Sequence, residues 1–337
     1  MSRSGRAFPT AVALYRIEAP DSITVMSVCR GGPAMSPDDR SRDGARHAMR
    51  NFLRRPAVNA LLRTSLRPFA RWLPVRALCR LPVVGEVTAS LPSGARLRLG
   101  SDGRDLIASA LYWRGLAGYE PETFAVLWKV AADVAVLFDV GASTGVFTLA
   151  AALEDRTRRV FAFEPGPGMS ADLERNIALN RLTNVTPVAA AACDHDGTVD
   201  LFVPPGGSLA FGASTLPSFR PGGVRRSVRA VRLDTFVQQE GIECVDLIKL
   251  DAEGAEPAVL AGARALLERD EPWIICEVLH GLTEASLHAE LDRLGYRYFA
   301  ITPRGLEPRS RIVGDSTYRA PNWLFATERR LGACPLV

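Results

Sequence analysis

The first group of residues able to do chemistry lies in Asp139-Val140-Gly141-Ala142-Ser143-Thr144-Gly145, between an apolar run and the helical text Val146-Phe147-Thr148-Leu149. Glycine lets the backbone approach a ligand, and a helix N-terminus offers it free N–H groups. A pyrophosphate loop needs G-x-G-x-x-G, but only Gly141 and Gly145 are present, with no third glycine in register. No G-K-[ST] follows, which excludes a P-loop. Asp139 would repel a pyrophosphate and suits the ammonium of an amino-acid ligand. A second acid, Glu164, ends Val160-Phe161-Ala162-Phe163-Glu164-Pro165, where a carboxylate can accept both ribose hydroxyls. By itself it could equally be a surface charge.

A third group is Asp246-Leu247-Ile248-Lys249-Leu250-Asp251-Ala252-Glu253-Gly254-Ala255-Glu256. Lys249 is one of two lysines against 39 arginines, and inside an apolar strand it must point at a carboxylate, because an unpaired buried ammonium is costly. Asp251, Glu253 and Glu256 follow where ligands of open α/β sheets sit. The competing explanation is dipole compensation ahead of a helix starting at Pro257. His280, just after Glu277-Val278-Leu279, is a candidate general base; a structural histidine is the alternative.

The elements that must position these groups read as an alternation of strand and helix, the pattern of a mostly parallel, doubly wound sheet. Strands are expected at 134–140, 159–164, 185–191, 245–251 and 273–278. Helices are expected at 170–182, 257–267 and 287–294, and 296–301 with 323–327 reads as a closing antiparallel pair. Upstream, 83–99 reads as a hairpin turning at Pro92-Ser93-Gly94, followed by helical text from Asp105 through Trp113 and from Pro121 to Ala132. The resulting boundaries are a disordered segment 1–45, a basic amphipathic helical segment 46–82, a hairpin and helical lead-in 83–133, and the sheet domain 134–330. Met35 and Met49 are alternative candidate starts.

Residues 46–80 contain nine arginines and no acid, whereas the rest of the chain is close to neutral or mildly acidic. The basic segment, broken by Pro56, Pro68 and Pro74 into short helices, fits peripheral contact with anionic lipid. The competing explanation is a helical lead-in packing on the domain, its arginines simply solvated. No nucleic-acid motif accompanies the charge. No apolar run reaches the length of a membrane span, and six scattered cysteines show no metal spacing. The expectation is a cytoplasmic protein, peripheral at the inner membrane face if the segment binds lipid, with no metal.

Together these strings resemble the FkbM family of S-adenosylmethionine (SAM)-dependent methyltransferases. The resemblance rests on Phe138 to Gly145, Phe163-Glu164-Pro165, Leu233-Asp234-Thr235-Phe236, Asp246 to Glu256, Leu260-Ala261-Gly262-Ala263 and the Glu277 strand. Tyr119-Glu120-Pro121-Glu122 and Gly212-Ala213-Ser214-Thr215-Leu216 also look similar. It implies an α/β, Rossmann-like class I methyltransferase fold: a seven-stranded, mostly parallel sheet with an antiparallel last strand, behind an N-terminal helical and hairpin extension. It also implies SAM as cofactor and O-methylation of a sugar or natural-product hydroxyl. Ser143 stands where the family usually has asparagine, and can still donate to the cofactor. Under this reading Asp139 lies near the methionine ammonium, and Gly141, Ser143 and Gly145 surround the methionine end. Glu164 takes the ribose, and the Cys193-Asp194 turn borders the adenine. Asp251, Glu253 and His280 handle the acceptor, with Lys249 and Glu256 holding that cluster. The rival readings are a nicotinamide-dependent oxidoreductase, which the missing third glycine opposes, and a non-catalytic membrane-associated scaffold, which the intact acids oppose.

Overall fold

Short apolar runs flanked by helices must be buried on both faces, the condition of strands inside a parallel sheet. The computed structural model describes residues 48–49, 51–79, 81–203, 213–216 and 223–334. Segment 1–45 lies outside the described residues, as does Gly212.

Helix α1 (Pro56–Leu66), a 3-10 turn (Arg67–Trp72) and α2 (Val75–Leu78) lead to the hairpin β1 (Val84–Ser90) and β2 (Arg96–Asp102). Next come α3 (Leu106–Arg114), which Asp105 caps by accepting from the Ile107 and Ala108 amides, and α4 (Pro121–Val130), with proline in its first turn. The alternation then runs β3 (Val136–Val140), α5 (Val146–Glu154), β4 (Arg159–Phe163), α6 (Pro167–Leu179) and β5 (Val185–Val188). Three strands follow: β6 (Ala191–Ala192), β7 (Gly197–Val203) and β8 (Val224–Val231). After them come α7 (Leu233–Gln239), β9 (Leu247–Leu250), α8 (Glu256–Ala261), α9 (Arg264–Asp270) and β10 (Trp273–Glu277). The chain closes with α10 (Glu284–Arg293), β11 (Arg297–Thr302), β12 (Gly305–Arg309), β13 (Asn322–Ala326) and α11 (Glu328–Ala333).

The main sheet has the order β12-β11-β13-β10-β9-β3-β4-β5. Strands β10, β9, β3, β4 and β5 are parallel, while β13 runs antiparallel to both β10 and β11. Without β12, seven strands remain with the last in sequence antiparallel, the Rossmann-like class I arrangement. Its two faces carry separate apolar cores: Leu137, Leu247 and Ile275 pack with α4 and α5, and Phe138, Ile248 and Cys276 with α7 and α8.

Three expectations need correction. An eighth strand, β12, joins the edge; Gly-Leu-Glu-Pro-Arg has little apolar content and a proline that only an edge strand tolerates. The strand expected at 185–191 stops at Val188, because Ala191–Ala192 pairs with β8 in a separate three-stranded sheet. That sheet escapes apolar periodicity: β8 is Val-Arg-Arg-Ser-Val-Arg-Ala-Val, mostly exposed. The helix expected at 257–267 is two helices. A Cβ on Gly262 would stand 1.9 Å from the Cys193 carbonyl oxygen, so the chain passes too close there for any side chain. Asp234 restarts the helix, accepting from the Ala265 and Leu266 amides at 3.2 and 2.9 Å.

Candidate active site

In a parallel sheet, register partners point to the same face. Asp139 pairs with Lys249, and Lys249 with Ile275. Two residues further along, Asp251 and Glu277 therefore follow on the same side, and Glu277 pairs with Asn322 of β13. Strand alternation alone thus gathers Asp139, Lys249, Asp251, Glu277 and Asn322 at the carboxyl end of one sheet face. Strand order reverses between β3 and β9, the switch point at which open α/β sheets bind ligands.

A cleft with about 1120 Å³ of empty space, its open mouth included, occupies that point. Its lining includes Asp139, Gly141, Ser143, Glu164, Lys249, Asp251 and Glu253 from the expected set, together with Tyr119, Glu120, Phe147, the Ala190–Ala192 stretch and Glu277. Gly145 sits just behind it as the N-cap of α5.

One end of the cleft is backbone. Gly141 has φ +80, and a Cβ there would lie 1.8 Å from the Asp251 carbonyl oxygen, so only glycine lets the two loops touch. The Gly141 and Ala142 amides both donate to the Phe163 carbonyl at 3.0 Å. Glu164 accepts the Ser143 amide at 2.9 Å on one oxygen and the Gly166 amide at 2.8 Å on the other. Burial lifts its carboxyl to about 7, against the pull of those two amides. Asp139 is buried, which raises its pKa, and accepts the Thr148 hydroxyl at 2.5 Å. Asn176, fully buried on α6, donates to the Thr144 carbonyl at 2.9 Å and accepts the Gly100 amide at 2.8 Å. It thereby ties the loop to the upstream hairpin.

The other end is side-chain charge. Lys249 is 2% exposed, with Nζ 3.5 Å from Asp251 Oδ2 and 5.1 Å from the centre of the Phe147 ring. Burial favours its neutral form, but Asp251, Glu120, Asp139 and Glu277 outweigh that and hold the ammonium protonated. Among the described lining residues it is the one cation facing six acids. Glu277 is buried, with Oε2 lacking any hydrogen-bond partner; burial and the Asp251 and Glu253 charges push its pKa well above the usual range. Glu120 accepts from Asn322 at 2.9 Å and is raised to about 7 by burial, against the attraction of Lys249.

Glu120, Ser143 and Glu253 have φ of 41, 53 and 51. Each left-handed non-glycine residue costs about 1 kcal/mol, and all three line this cleft. They are three of the six such residues among the described ones, and strain of this kind persists where the surroundings enforce the geometry. Glu256, fully buried, accepts the Ala252 and Gly254 amides at 2.9 and 3.1 Å and so shapes the turn that presents Glu253.

Three expected site residues lie elsewhere. His280 is half-exposed and outside the lining, its Nδ1 3.0 Å from the Gly314 carbonyl; the chain turns away after Val278 through Gly281 at φ +73. Cys193 and Asp194 also lie beyond the wall. Pairing of β6 with β8 carries the chain out of the main sheet, so Ala190–Ala192 face the cleft, while Asp194 binds His195 at 2.7 Å. Glu120 and Asn322 were missed from sequence: one precedes a helix and the other begins an apolar strand, and only the fold brings them together.

Residues 139–298 match the family model described as Methyltransferase FkbM domain. The matched stretch is similar to FkbM methyltransferases. It begins at Asp139 and ends within β11, so Glu120 and Asn322 reach the site from outside the matched stretch. Methyltransferase sdnD of Sordaria araneosa is 30% identical over 153 residues, 37% of this chain and 59% of that protein. The 31-O-demethyl-FK506 methyltransferase FkbM of Streptomyces tacrolimicus is 30% identical over 153 residues, 38% of this chain and 58% of that protein. The chain thus spans under two thirds of the length of both. The 2-O-methyltransferase NoeI of Sinorhizobium fredii (strain NBRC 101917 / NGR234) is 27% identical over 191 residues, 51% of this chain and 76% of that protein. The crystal structure of methyltransferase FkbM from Methylobacillus flagellatus KT aligns with a TM-score of 0.39 and 17% identity, covering 68% of this chain and 56% of that one.

Proposed function

We propose that the chain is a SAM-dependent methyltransferase acting on a hydroxyl of a small sugar or natural-product acceptor. The observation that carries this is the two-ended cleft: a glycine loop between two acids, directly joined to a carboxylate cluster around a buried lysine. The similarity to FkbM methyltransferases implies a SAM-type cofactor, and the lining suits one. Ser143 Oγ is buried without a partner, and each Glu164 oxygen keeps a lone pair beyond its one backbone amide.

When bound, the cofactor supplies an electrophilic methyl group on a sulfonium. Asp139 and the Gly141–Ser143 backbone hold the methionine end, Glu164 takes the ribose hydroxyls, and Ala190–Ala192 provide an apolar wall for the adenine. Asp251 and Glu253 receive the acceptor, one of them taking the hydroxyl proton as the oxygen attacks. Lys249 holds Asp251 in place, its Nζ 3.5 Å from Oδ2. Oxygen as the target is supported by two relatives whose names specify O-methylation. Incubation with isotope-labelled SAM and a panel of glycosides and macrolide alcohols, read by mass spectrometry, tests this reading. Label on a hydroxyl oxygen supports it; label only on nitrogen or carbon, from a panel offering all three, contradicts it.

A further inference from the structure

Among the described residues nine large hydrophobic side chains are exposed, and six of them (Met49, Phe52, Leu61, Phe69, Trp72 and Leu73) fall within residues 49–73. This clustering coincides with the stretch 46–80 that contains nine arginines and no acid. The segment is fixed on the body. Asn59, 2% exposed, donates to the Pro82 carbonyl at 2.6 Å and accepts the Val84 amide at 3.0 Å. Arg63 donates to the Val84 carbonyl at 2.5 Å, and its guanidinium lies 4.1 Å from the centre of the Tyr112 ring. Leu61 stands two positions from Asn59, about 200° round the helix, and is 69% exposed. Phe69 and Trp72, with ring centres 6.2 Å apart, extend the apolar surface over the next turn.

A face that combines exposed aromatic and aliphatic groups with exposed arginines such as Arg55 and Arg67, in a stretch whose sequence holds no acid, matches one environment closely. At the headgroup layer of an anionic bilayer, rings sit at the interface and guanidinium groups meet phosphate. A second copy of the chain would bring the same positive charge against itself. Nucleic acid would match the charge and leave the apolar groups in water. Among the described residues no helix is long and apolar enough to cross a membrane, so this face would lie on the surface. We propose that residues 49–73 form a peripheral docking face for anionic lipid. Helix α3 carries both Tyr112, beneath Arg63, and Ile107 on the cleft wall.

Sedimentation of the full chain with phosphatidylcholine vesicles, with and without phosphatidylglycerol, tests the proposal independently of the methyltransferase reading. The chain is expected to pellet only with the anionic vesicles, to be released by salt, and to show a blue shift of Trp72 emission that W72F abolishes. Replacing Leu61, Phe69 and Trp72 together with serine should weaken binding about tenfold or more while the melting curve stays unchanged. R55Q combined with R67Q should weaken it by about tenfold. Equal binding to neutral vesicles, wild-type binding by the serine variant, or capture by DNA and not by vesicles would each overturn it. A chain that dimerises through this face instead of pelleting would also overturn it.

Discussion

The two ends of the cleft are built on opposite principles. At the end proposed for the cofactor, position is set by main chain: Gly141 against the Asp251 carbonyl, and the Ser143 and Gly166 amides on Glu164. At the end proposed for the acceptor it is set by charge, with Lys249 among Asp139, Asp251, Glu120 and Glu277. Backbone construction gives a pocket that keeps one shape for one ligand. Charge construction gives a pocket whose stability depends on every member being present, because a buried ion left without its partner is costly. The difference explains why the two ends should fail differently under mutation.

The sharpest way to break the contrast is K249M. Removing the one cation from a buried acid cluster should cost about 3–5 kcal/mol, lowering the melting temperature by roughly 10 °C in a calorimetric scan. A variant that melts with the wild type would show that the cluster is not held by charge. D251N retains shape and loses the carboxylate; kcat should fall about a hundredfold or more while S-adenosylhomocysteine affinity stays within about twofold. Equal loss of both would merge the two ends into one.

The cofactor end is sharpened by E164Q, expected to weaken S-adenosylhomocysteine binding by about tenfold, the worth of one charge-assisted hydrogen bond. The Glu164 carboxyl lies at about 7 against an ordinary 4.5. With the folded value raised, its contribution to the stability of the ligand-free chain is complete below about 4.5 and is lost as pH rises through about 7. The melting temperature should therefore fall across that window, less steeply in E164Q, and ligand affinity should rise over the same range as the carboxylate ionises. The smallest effect belongs to H280A. Because His280 contacts the Gly314 carbonyl and does not line the cleft, kcat should change by less than about twofold, well short of the loss expected for a general base.

Much of this site was legible in sequence because its groups sit at strand ends. Asp139, Glu164 and the Lys249–Glu253 string follow apolar runs that could only be buried strands, and strand ends in such sheets are where ligands bind. Glu256 was readable as a residue holding that cluster, and the buried turn it caps fits that role. What could not be read was set by long-range packing. Glu120 stands at the cluster with its carboxylate accepting from Asn322, 202 positions away. Asn176 bonds the Thr144 loop to strand β2, which no periodicity connects. His280 and Asp194 stand outside the cleft lining for the converse reason: each follows an apolar strand, but the chain turns outward, at Gly281 in one case and through the small three-stranded sheet in the other. The split between α8 and α9 likewise depends on a contact with Cys193 across the fold.

The central claim, that a main-chain cofactor pocket adjoins a charge-built acceptor pocket, is tested most directly by isothermal titration of the ligand-free chain with S-adenosylhomocysteine and, separately, with NAD. The account requires saturable binding of S-adenosylhomocysteine at one site per chain, lost in G141A, where a Cβ would strike the Asp251 carbonyl, and no heat from NAD. Binding of NAD with none of S-adenosylhomocysteine, or undiminished binding of S-adenosylhomocysteine by G141A, would contradict it.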